Sequence, residues 1–117
     1  MSYLYNPIII ASILFIAGHI FGWFSGNAQL VWDFWKNKPI ISTVIFGIPG
    51  GILFWYGTKI AYDELESLWS IRFLVASLSY LIFPLLTWYF MGETIFTLKT
   101  MICIALSLSI LAVQYYL

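Results

Sequence analysis

NPIIIASILFIAGHIFGWFSG, residues 6–26, decides the fold. Its one ionisable side chain is His19, set among apolar residues and three glycines spaced four apart, Gly18, Gly22 and Gly26. A helix that crosses a bilayer needs about 20 mostly apolar residues. The run from Leu4 to Phe24 supplies them. The residues ahead of it have no basic n-region, and no small-residue cleavage site precedes a polar chain. The segment is therefore expected to be a retained helix and not a signal peptide.

The rest of the chain repeats this pattern. Of its 117 residues, 62% are hydrophobic and 9% charged, whereas soluble domains carry about 25% charged and about 45–50% apolar residues. Mean hydropathy is +0.95. Three further apolar runs cover residues 40–61, 68–91 and 95–117. The expected fold class is all-α: one integral-membrane domain over residues 1–117, a four-transmembrane-helix bundle. A multi-pass protein of the cell (inner) membrane is expected, with the lipid bilayer as its first partner.

The breaks between runs hold nearly every charge. Asp33, Lys36 and Lys38 lie in the first, Lys59, Asp63, Glu64 and Glu66 around the second, Glu93 and Lys99 in the third. Trp and Tyr favour the membrane boundary, and they fall into two groups. Tyr3, Tyr5, Trp55, Tyr56, Tyr62, Trp69, Tyr115 and Tyr116 mark one side, Trp23, Trp32, Trp35, Trp88 and Tyr89 the other. Tyr80 alone sits mid-run. NAQLVWDFWK, residues 27–36, suits a segment lying flat at the interface. Lys36, Lys38 and Lys99 give one side a slight basic excess, which puts both termini outside under the positive-inside rule. So slight a bias also suits insertion in both orientations and antiparallel pairing.

Four short helices enclose little space, so a solute path forms more readily between two copies. Small residues let membrane helices approach closely. Gly18, Gly22 and Gly26 make one such stripe, and Gly47 and Gly51 flank Pro49 in FGIPGG, residues 46–51. This second motif is expected to be a hinge or a static kink, since proline removes a helix hydrogen bond. Pro84 poses the same choice in the third run. Nucleic acid is excluded as a partner by a net charge of zero with no basic patch. One histidine and one cysteine, Cys103, make no metal site in a single copy. No phosphate-binding glycine loop and no nucleophile with a base is present. No cofactor and no enzymatic activity are expected.

SLWSIRFLVASLSYLIFPLLTWYFMGETIFTLKTMICIALSLSILAVQYYL, residues 67–117, resembles the last two helices of the drug/metabolite transporter superfamily: a long third helix, TWYF, MGE, then about 20 apolar residues. FWYGTKIAYDELESLW, residues 54–69, resembles the small multidrug resistance branch near its second loop. The resemblance implies a four-helix dimer that moves a small molecule, with Trp69 near the place of a path-lining tyrosine. It also sets Phe15 where that branch has a proton-binding glutamate, and Ile102 and Ser109 where it has dimer-contact glycines. Proton-coupled drug export is therefore not implied. Short members and paired lipid-carrier flippase subunits also lack that glutamate.

His19 lies one turn beyond Phe15 on the same helical face. Ionisable groups within a membrane usually face the interior and are functional candidates. His19 is either a titrating group in a cavity or a neutral imidazole bonded to a neighbouring helix. Arg72, one turn into the third run, either snorkels to the boundary or clamps an anion. In an antiparallel pair, His19 of one copy and Arg72 of the other would share a level. The leading expectation is transport or flipping of a small or amphipathic solute by a homodimer, along a path lined by His19, Trp69, Arg72, Phe15 and Tyr80. The rival is a non-transporting accessory subunit in a hetero-complex.

Overall fold

The computed structural model describes residues 6–116, so Tyr3, Tyr5, the Leu4 start of the first run and Leu117 lie outside the described residues. Asn6 opens helix α1, Pro7–Val31: its Oδ1 accepts a hydrogen bond from the Ile8 N–H at 2.8 Å, and Pro7 occupies the first turn. The helix passes Phe24, the expected end, because nothing from Ser25 to Val31 forces it to stop. Gly26 costs about 1 kcal/mol in a helix, too little to end one that buries Trp23 and Ala28 on either side of it. Trp32, in extended conformation, ends α1. The stretch expected to lie flat at the interface is thus divided between α1 and a 3-10 turn, Asp33–Trp35.

Helix α2, Pro39–Leu65, α3, Leu68–Met91, and α4, Leu98–Tyr116, follow, and the described residues are helical with no strand. All four helices are long and apolar enough to cross a membrane. Inside α2, residues Thr43–Gly47 form a π turn just ahead of Pro49. Proline offers no N–H to the Ile45 carbonyl, and the wider turn accommodates that gap. The α2–α3 connection is tight. Glu66 closes α2 in left-handed conformation (φ 52°), and Ser67 caps α3 by accepting the Ser70 N–H at 3.2 Å. Gly92, at φ 74°, ends α3 where a side chain would be strained.

Helix α1 lies between α2 and α3, whereas α2 and α3 touch each other only over a short stretch. Large residues on one helix fill the space that small residues leave on its neighbour. Phe15 covers Gly57, where an added Cβ would lie 2.7 Å from its ring. Phe54 covers Gly18, with the corresponding distance 3.0 Å. Gly50 sits 3.3 Å from both the Gly18 carbonyl and the Phe21 Cβ, measured to the same built atom. Ser42 Oγ donates to the Ser25 carbonyl at 2.9 Å near the other end of the seam.

The glycines therefore divide differently from the sequence expectation. Gly18 lies against Phe54, and Gly47 lies beside Ser25 and Thr43. Gly22, Gly26 and Gly51 have no atom within 4 Å of a built Cβ. Gly50 and Gly57 hold the close contacts instead.

The buried cluster of Ala11, Phe15, Ala61, Ile71, Leu74 and Leu78 joins α1, α2 and α3. Towards the loops, Trp23, Phe24, Trp32, Phe46 and Phe90 form a second, aromatic cluster. Trp32 and Trp35 pack onto helix ends here, Trp35 against Phe46 at 5.2 Å between ring centres. Helix α4 leans on α3, and Ser107 is its one buried residue among those described. At its far end, the Tyr115 hydroxyl lies 2.6 Å from Ser12 Oγ and ties α4 to α1.

Candidate functional site

The tight turn at Glu66–Ser67 brings the first turns of α3 opposite the last turns of α2. Because both helices spend most of their contact on α1, a cleft of about 430 Å³ remains between them. Phe54 and Thr58 of α2 form one wall; Leu68, Ile71, Arg72 and Val75 form the other. Positions 68, 71, 72 and 75 fall on one helical face. Arg72 is exposed and lies about 6 Å along α3 from Leu68, at 1.5 Å per residue. A guanidinium in an otherwise apolar cleft, near a membrane boundary, is a forked donor for a phosphate or carboxylate. Thr58 adds a hydroxyl beside it.

His19 backs this cleft without entering it. It is 7% exposed, and its Nε2 lies 2.8 Å from the Val75 carbonyl, so Nε2–H is the donor. Its ring meets Phe54 edge-on at 4.9 Å and Phe83 at 5.9 Å between ring centres. Phe54 and Val75 thus face the cleft on one side and His19 on the other. One imidazole fastens α1 to α3 and wedges against α2. The imidazole is thus bonded to a neighbouring helix and does not line the cleft. Trp23 makes a parallel fastening, with Nε1 donating to Thr87 Oγ1 at 3.0 Å.

The other expected path residues do not join Arg72. Phe15 is fully buried between Gly57 and Phe54 in the α1–α2 seam. Trp69 is 75% exposed and stacks on Phe73, on a face of α3 turned away from the cleft. Tyr80 is 58% exposed and lines a different cleft, between α3 and α4. Within one copy the five residues do not line a single cleft. Arg72 and His19 are linked through Val75 and Phe54, Phe15 stacks on Phe54 from the α1–α2 seam, and Trp69 and Tyr80 stand apart.

Thr58 and Phe54 were missed as cleft residues. A polar residue immediately before Lys59, inside an apolar run, was the available signal. Its meaning depended on which turn of α3 it would meet. Among the described residues, no cluster of three or more histidine, cysteine, aspartate or glutamate side chains could hold a metal ion. Gly47 closes the π turn and Pro49 follows it, and Thr43 Oγ1 at the turn's start donates to the Pro39 carbonyl at 2.7 Å. Comparison with known protein families, characterised proteins and solved structures finds no match to this chain.

Proposed function

We propose that the protein moves an amphipathic solute with an anionic head across or between membrane leaflets, using the α2–α3 cleft. The observation that carries this reading is Arg72, a guanidinium in a cleft between two apolar helices whose other lining residues, Thr58 apart, are apolar. An anionic head would take the guanidinium and the Thr58 hydroxyl, and an apolar tail would lie against Phe54, Leu68 and Ile71. His19 would hold the α3 wall against α1 by way of Val75. The reading keeps the likeness to the drug/metabolite transporter superfamily and its small multidrug resistance branch. It also keeps a dimeric assembly in the cell (inner) membrane. In an antiparallel homodimer, two such clefts would serve the two leaflets.

The test is lipid flipping in proteoliposomes. An anionic phosphatidylglycerol carrying a fluorescent label is reduced from outside by dithionite. The purified chain should speed loss of the protected fraction, and Arg72→Gln should slow it about tenfold, the loss of one charge-assisted bond. Rates equal to those of protein-free vesicles would reject the reading. Orientation is tested separately, with Asp63→Cys and Thr94→Cys each placed in a Cys103→Ser background. Labelling of each probe from both faces of intact vesicles supports the antiparallel pair, and labelling from one face removes it.

The non-transporting subunit has its own supporting observation. Gly22, Gly26 and Gly51 leave open backbone where another helix could approach. Failure of flipping together with co-purification of a stoichiometric membrane partner would favour it.

A further inference from the structure

Two pockets meet where the chain passes from α1 to α2, about 40 Å along α2 from the Glu66 turn at 1.5 Å per residue. One is small and polar, about 100 Å³, lined by Ser25 and Gln29 of α1 and by Trp35, Lys38, Ser42 and Thr43. The other is a groove of about 440 Å³ walled by the rings of Phe24, Trp32, Phe34, Trp35 and Phe46. Trp35 belongs to both. Lys38 also joins them, because it lines the polar pocket while its Nζ lies 4.0 Å from the centre of the Phe34 ring in the groove wall. The Phe34 carbonyl accepts from that Nζ at 2.6 Å, which leaves the ammonium two free N–H groups. Lys38 is half-buried, whereas Lys36, Lys59, Arg72 and Lys99 are exposed. Among the described residues, no carboxylate lines either pocket, and Asp33 of the same loop is exposed outside both.

We propose that this corner binds a phosphomonoester carried on an apolar body, the phosphate in the polar pocket and the body in the aromatic groove. Lys38 supplies a charged donor, and charge-assisted bonds are the strong ones. Gln29 keeps one amide N–H after donating to the Gly26 carbonyl at 3.0 Å. The Ser42 and Thr43 hydroxyls give their protons to the Ser25 and Pro39 carbonyls at 2.9 and 2.7 Å, so in the pocket they are acceptors. A singly protonated monoester, whose second pKa is about 6, has an O–H for one of them. A diester has none. The volume points the same way. About 100 Å³ is the room of about three waters, enough for a phosphate and too little for a head alcohol as well. A metal cation is disfavoured by the ammonium in the lining. The groove begins beside that ammonium, at Phe34 and Trp35, so a head and its body reach both pockets at once. The site stands whether or not the Arg72 cleft carries a solute.

The measurement is quenching of tryptophan fluorescence by lipids with brominated acyl chains, titrated into phosphatidylcholine nanodiscs that hold the full chain. Trp32 and Trp35 both wall the groove. Brominated phosphatidic acid should quench saturably, at a mole fraction about tenfold lower than brominated phosphatidylglycerol needs. Lys38→Gln should raise its half-saturation point about tenfold. Lys36→Gln, which removes an exposed charge from the same loop, should change it less than about twofold. Arg72→Gln should leave it unchanged. Circular dichroism confirms that each variant keeps its helices. Displacement by inorganic phosphate would identify soluble phosphate as a source of the head. Displacement by lysophosphatidic acid and not by inorganic phosphate would identify a lipid, held by head and body together. Equal quenching by phosphatidylglycerol, or a Lys38→Gln chain that behaves like Lys36→Gln, would overturn the proposal.

Discussion

Helices α1 and α4 are alike in hydropathy and opposite in role. Their most apolar windows have mean hydropathies of 2.0 and 1.7. Yet α1 buries Ala11, Ser12, Phe15, Gly18, His19, Trp23 and Ala28, while α4 buries Ser107. In lipid, an exposed leucine costs nothing, so hydropathy marks a span without saying what it touches. What distinguishes α1 is shape. Its glycine and phenylalanine positions alternate with those of α2, and its two polar rings each find a partner on α3. Helix α4 has neither device, and it is held by one neighbour and a hydroxyl pair at its end.

The largest effect should come from filling the seam. Gly57→Leu drives a side chain into the Phe15 ring and should cost about 3 kcal/mol in denaturant unfolding in micelles. The same change at Gly51, where the built Cβ meets nothing, should leave stability nearly intact. Equal losses at both positions would break the contrast between filled and open glycines. Next comes His19→Leu, which removes the bond to the Val75 carbonyl. Interhelical bonds in membranes are modest, so about 1 kcal/mol is expected, read by the same unfolding curve. The smallest effect belongs to α4. Leu108→Ala exchanges lipid contacts for lipid contacts and should shift stability by less than about 0.5 kcal/mol. A larger loss would mean that another surface covers α4 in the membrane.

The spans were legible because each needs only length and apolarity, and those are properties of a run. An irregularity in α2 was legible from Pro49 for the same local reason, and it takes the form of a π turn. The identity of the packing glycines was not. Gly51 and Gly57 look alike in sequence, and only the antiparallel register, with Phe15 opposite residue 57 and Phe54 opposite residue 18, separates them. His19 was legible as an anomaly, and its partner was not, because a backbone carbonyl leaves no mark in the sequence. Arg72 was found as a lone charge within a span. Its cleft required knowing that α2 and α3 each prefer α1 to one another. Trp69 and Tyr80 were placed with Arg72 by likeness and by position in the run, whereas the helical face of α3 sets them elsewhere.

The π turn at Thr43–Gly47 has a consequence for the angular phase of α2. Each residue of an α-helix advances by about 100°, so Ser42 would stand roughly 80° away from Gly50 and about 100° from Ala61 in an unbroken helix. One surplus residue in the wider turn subtracts about 100° and brings all three into line. That is how Ser42 reaches the Ser25 carbonyl while Gly50, Gly57 and Ala61 meet the same helix further along. The surplus residue works as a leap day does in a calendar, restoring agreement between two cycles that do not divide evenly. Deleting one residue from the turn would make α2 more regular and rotate its first four residues out of step with the rest.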